Sequence, residues 1–135
     1  MKLQNLMAII VMMAPLAVMD AGMAAGPAPI AGRWAGTVSE PRGAEAPYVY
    51  TVYLDISADG KSGTAQYLRY PCGGRLNLVS DTAAGKLFQE HLYYGTTICL
   101  DGLQVRVSTA SPDEVLFEEL VNGSASVSGN LRKLH

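Results

Sequence analysis

The sequence predicts an all-β domain: an eight- or nine-stranded antiparallel meander closing into a small up-and-down barrel. Three observations carry this expectation. Turn signals recur at short intervals from residue 30 onward, the segments between them have strand composition, and no stretch there keeps a helical period. The turn signals are Glu40-Pro41-Arg42-Gly43, Asp59-Gly60, Gly73-Gly74, Asp81 to Gly85, Gly95, Asp101-Gly102, Ser111-Pro112-Asp113 and Asn122-Gly123. Asp-Gly and Asn-Gly pairs accept positive φ at little cost, which suits tight hairpins whose twist matches the flanking strands.

The strands follow in order. The first starts at Ile30-Ala31-Gly32-Arg33-Trp34 and runs to Val38. Tyr48 to Ile56 is aromatic and β-branched, with Tyr50, Val52, Leu54 and Ile56 on one face. Tyr67 and Arg69 share a face further on. Phe88, Glu90, Leu92 and Tyr94 share another. Leu103 to Ser108 alternates apolar and polar, which places Val105 inward. Val115 to Val121 is apolar on both faces, so its phase is ambiguous. Ser124 to Leu131 alternates small polar residues with apolar ones. Short links between so many strands favour sequential antiparallel pairing, and closure removes the two exposed edges of an open sheet. A two-sheet sandwich is the alternative.

Residues 1–24 have a different character. A short start with Lys2 precedes an uncharged apolar run from Leu6 to Met19, and small residues follow around Gly22 and Ala24. This is the pattern of a secretory signal peptide, with cleavage expected after Ala24. The run of about 14 residues falls short of the roughly 20 that span a bilayer, so no stable membrane anchor is expected. Residues 25–29, with Pro27 and Pro29, read as an extended arm, and residues 30–135 as a single domain. A secreted or periplasmic location follows. There an even pair of cysteines, Cys72 and Cys99, is expected to be bridged. The net charge is −2 and the sequence shows no basic patch, so no nucleic-acid partner is expected.

The Gly32-Arg33-Trp34 triplet at the first strand resembles the Gly-x-Trp signature of lipocalins and related calycin barrels. In that family the Trp plugs one end of the barrel and a basic residue of the last strand packs on it. The resemblance implies that role for Trp34, with Arg132 or Lys133 as the basic partner. It also implies a small apolar or amphipathic ligand inside the barrel. The chain is shorter than a typical lipocalin and shows no C-terminal helix, which places a large ligand cup in doubt. It also resembles the bacterial periplasmic inhibitors of secreted metalloproteases in size, single disulfide, early Trp and basic C-terminus. Their cysteine placement differs, since one of theirs comes early.

Chemistry-bearing residues are few. His91 stands apart from any Asp, Cys or second His and reads as a surface residue. There is no nucleophile elbow, no phosphate loop, no metal-ligand spacing and no visible acid–base pair, so neither an enzyme nor a cofactor is expected. Glu90 is the notable carboxylate, since it sits among aromatic residues on an inward face. It should shift its pKa or find a cation, and Arg69 is the candidate partner. Glu118-Glu119 reads as a solvated edge. The expected ligand site comprises Trp34, Tyr50, Val52 and Tyr67, then Arg69, Phe88, Glu90 and Val105. The expected function is non-enzymatic binding by a monomer, of a small ligand or alternatively of a protein partner such as a secreted or foreign enzyme.

Overall fold

The computed structural model describes residues 28–135. The expected signal peptide and most of the expected arm lie outside the described residues. Eight strands form: β1 (Gly32–Arg42), β2 (Glu45–Ile56), β3 (Ser62–Leu68), β4 (Cys72–Thr82), β5 (Gly85–Tyr94), β6 (Gln104–Ser111), β7 (Glu114–Val121) and β8 (Ser124–Lys133). Each pairs antiparallel with the next, and β1 also pairs with β8, so the sheet is a closed barrel rather than a sandwich. At this β1–β8 seam the backbones come very close. A Cβ at Gly36 would lie 2.4 Å from the Asn130 carbonyl oxygen, and one at Gly129 would lie 2.2 Å from that of Thr37. Closure therefore needs glycine at both positions.

Alternation places the core as expected along most strands. Tyr50, Val52, Leu54 and Ile56 of β2, Val105 and Val107 of β6, and Val115 and Phe117 of β7 are all buried. Each such side chain contributes about 1.5–3 kcal/mol on burial. β7 owes its ambiguous pattern to a bulge at Glu119/Leu120 in its pairing with β8, which turns two successive residues inward.

Gly73-Gly74 is not a turn. Both residues lie within β4, where a bulge interrupts its pairing with β5. The reversal falls at residues 69–71 instead, and Arg69 takes a left-handed φ of 92° there. Pro29 departs from the expected extended arm, and Ile30 precedes the first strand rather than starting it. They form a turn in which the Ala31 amide donates to the Ala28 carbonyl at 2.8 Å.

A meander puts alternate connections at opposite ends, and the two ends of this barrel differ. One is plugged by Trp34, fully buried, whose indole Nε1 donates to the Ile30 carbonyl at 2.9 Å. Lys133 Nζ lies 5.6 Å from the centre of the Trp34 ring, while Arg132 points outward. Lys133 is thus the basic partner. The other end carries the connections at 43–44, 69–71, 95–103 and 122–123, and it is open.

Candidate functional site

The open end holds a cavity of about 370 Å³. Tyr48 and Tyr50 of β2 and Tyr67 of β3 form one wall, with Tyr70 from the turn that follows. Their rings make an edge-to-face series. The centroids are 6.0 Å apart for Tyr50–Tyr67, 5.3 Å for Tyr50–Tyr70 and 6.3 Å for Tyr48–Tyr70. Opposite stand Glu90 of β5 and Glu119 of β7, with Ile98, Leu100 and Val121 toward the mouth.

The connection at 95–103 is fixed rather than loose. Cys99 is bridged to Cys72 at the start of β4, with their Cα atoms 6.4 Å apart. Its amide and that of Ile98 both donate to the Gly95 carbonyl, at 2.8 and 3.0 Å. Asp101 Oδ1 accepts from the amides of Leu92 and Gly102 at 2.8 Å each. Ile98 and Leu100 are therefore held at the rim although both are exposed.

Two carboxyl groups are buried in this cavity wall. Glu90 is 1% exposed and Glu119 is 8% exposed. Tyr67 donates its hydroxyl proton to Glu90 Oε2. Removal from water pushes the Glu90 carboxyl up to about 7, the Tyr67 hydrogen bond opposes this, and the charges of Glu119 and Asp101 add to it. Glu119 is likewise pushed up to about 7 by burial, opposed by the Tyr67 hydroxyl, raised further by Glu40 and opposed by Tyr50. Burial and the neighbouring carboxylates push the Tyr50 and Tyr67 phenols far above their ordinary value, so both remain protonated donors. Among the described residues, neither Glu90 nor Glu119 has an ion-pair partner.

Of the residues expected from the sequence, Tyr50, Tyr67 and Glu90 converge on the cavity. Trp34, Val52, Phe88 and Val105 are fully buried but belong to the packed core and do not line it. Arg69 is a correction. The sequence offers it as a partner for Glu90, but β3 ends at Leu68 and the left-handed turn swings Arg69 outward, where its Nη1 donates to the Val49 carbonyl at 3.2 Å. The carboxylate beside Glu90 is Glu119 instead.

The reading of Glu118-Glu119 as a solvated edge therefore divides. Glu118 points outward and pairs with Arg106 Nε at 2.9 Å, while Glu119 points in. A sequence signal marked it. β5 and β7 both carry Phe-x-Glu, as Phe88-x-Glu90 and Phe117-x-Glu119, and all four residues are buried. Glu40, Tyr48, Tyr70, Ile98 and Leu100 were also not anticipated in the site. His91 is exposed.

Compared with protein-family models, with curated proteins and with solved structures, the chain shows no significant match.

Proposed function

We propose that this chain is an exported, non-enzymatic binding protein whose lipocalin-like barrel holds a small amphipathic ligand in its open end. The observation that carries this reading is the unequal filling of the barrel. One end is sealed by Trp34, while the other keeps a cavity of about 370 Å³ walled by tyrosines and two buried carboxyl groups. That volume falls within the range of small-molecule sites, which combine apolar walls with a few convergent polar groups. Burying two carboxyl groups without a counter-ion works against stability, which accords with a site shaped for something other than packing. The position of Trp34 at the closed end, with Lys133 over its ring, supports the lipocalin-like comparison. The disulfide is compatible with an extracellular or periplasmic location.

Native mass spectrometry of the protein recovered after export tests this reading. A reproducible adduct that leaves on denaturation supports it and gives the ligand's mass. A clean mature mass, with no adduct formed on incubation with small amphiphiles, counts against it. A second reading, docking of a protein partner, is favoured by the exposed apolar residues Tyr93, Tyr94, Ile98 and Leu100 near the open end.

A further inference from the structure

The chemistry of the cavity wall selects one class of ligand. Among the described residues, all the charged ones that line it are acidic: Glu40, Glu90 and Glu119. An anionic headgroup would meet three carboxyl groups and no compensating base. A neutral one would leave Glu90 and Glu119 as they are. Arg42 and Arg69, at the same end of the barrel, are engaged by other groups. Arg42 bonds Glu45 and lies over the Tyr48 ring at 4.0 Å, and Arg69 is held by the Val49 carbonyl.

A proton count narrows the class further. The side-chain donors that reach the two buried carboxyl groups are the hydroxyls of Tyr67 and Tyr50. Each phenol has one proton, and Tyr67 gives its proton to Glu90. Ser126, the hydroxyl side chain on the same wall, directs its proton to the Glu119 backbone carbonyl at 3.4 Å. When both groups are ionised, as they are at pH 8, two phenolic protons thus face four carboxylate oxygens. Glu119 is buried and turned into the cavity, and among the described residues it has no cation and only the Tyr50 hydroxyl is left to serve its two oxygens.

An ammonium group meets both deficits, because it carries a positive charge and up to three N–H donors. The tyrosine wall offers ring faces that also attract a cation, as the seat of Arg42 on Tyr48 illustrates. A metal ion fits less well. Among the described residues, no group of three His, Cys, Asp or Glu side chains is arranged to hold one. Ile98, Leu100 and Val121 at the mouth then suit the apolar remainder of the molecule.

We infer that the cavity takes a primary amine with an apolar tail, its ammonium group between Glu90 and Glu119 and its tail toward Ile98 and Leu100. The inference rests on the small-ligand reading above and specifies its ligand. The ammonium nitrogen donates to Glu119 and to the Glu90 oxygen that Tyr67 leaves free. The tail lies along the tyrosine wall.

The test is calorimetric titration of the intact protein at pH 8 with octylamine, 1-octanol and octanoate, which share one chain and differ in headgroup charge. Octylamine is expected to bind at least about tenfold more tightly than 1-octanol, with octanoate weakest, as befits a charge-assisted hydrogen bond to a buried carboxylate. Glu119→Gln, which keeps the side-chain shape, is expected to remove most of that preference, and Glu90→Gln acts as a second variant in the same sense. Binding of 1-octanol or octanoate as tightly as octylamine overturns the amine assignment and leaves the small-ligand reading standing. Failure of all three to bind overturns both. The headgroup series on the unmodified protein decides the matter even if a variant does not fold.

Discussion

The Tyr67 hydroxyl donates to Glu90 Oε2 inside the barrel, joining β3 and β5 across a sequence separation of 23 residues. It is the polar centre of the open end, and it leaves Glu119 as the second carboxyl group with a donor shortage. Tyr67→Phe removes the donor that opposes the burial shift on Glu90. The Glu90 carboxyl is then expected to titrate at a higher pH than in the unmodified protein, as read by carbon NMR of its side chain. The variant should lose about 1–3 kcal/mol of stability above neutral pH, where an ionised carboxylate is left short of a donor, and less at pH 5. An unchanged or lower titration point would contradict this.

Stability should fall as pH rises from about 5 to about 8. Glu90 and Glu119 titrate at about 7 in the folded chain, against an ordinary 4.5. Between those values the folded state binds more protons than the unfolded one, so raising the pH favours unfolding. The loss levels off once both groups are ionised, and it amounts to roughly 3 kcal/mol per carboxyl at most. Asp59 and Asp101 are held below their ordinary value and act in the opposite sense only in stronger acid. Thermal melts from pH 5 to pH 8 should show a declining Tm, and Glu119→Gln should flatten the decline. A Tm that rises with pH across this window would refute the assignment.

The disulfide should serve both fold and site. Cys72 and Cys99 close a loop of sequence separation 27, which on the chain-entropy model contributes roughly 3–4 kcal/mol. Cys72→Ser should lower Tm by more than about 10 °C in a domain of this size. It should also weaken octylamine binding, because the bridge holds Ile98 and Leu100 at the rim. Calorimetric melting and titration of the same sample check both outcomes.

The closed end should be independent of the open end. Trp34→Phe removes the indole donor to the Ile30 carbonyl and leaves a small void beneath Lys133. The variant is expected to lose about 1–3 kcal/mol of stability. Its octylamine affinity should stay within about twofold, since distant sites act additively. A large affinity loss with a small stability loss would place Trp34 in the ligand site instead.

The barrel was legible in the sequence because strand alternation and hairpin turns are local signals. Tyr50, Val52, Leu54 and Ile56 declare their face without knowledge of their partners, and Asn122-Gly123 declares its turn. The closed end was legible only through the resemblance carried by Gly32-Arg33-Trp34, which left Arg132 and Lys133 open as the basic partner until the structure placed Lys133 by the ring. What failed depended on departures from regular alternation. A left-handed residue at Arg69 ended β3 early and removed the expected partner of Glu90. A bulge at Gly73/Gly74 kept a Gly-Gly pair inside β4, and another at Glu119/Leu120 hid the phase of β7. Bulges answer to the partner strand, so a single strand's sequence carries little trace of them. The repeated Phe-x-Glu of β5 and β7 was the local trace of the site. The contributions of Tyr70, Ile98 and Leu100 depend on how the connections fold over the open end, which no periodicity reports.

The most direct test of the binding account is NMR mapping of the isotope-labelled protein titrated with octylamine. The account predicts saturable shifts at Tyr50, Tyr67, Glu90 and Glu119, with the Trp34 indole signal unmoved. Shifts centred on Trp34 and the closed end, or no shifts in the cavity wall at saturating amine, would contradict it.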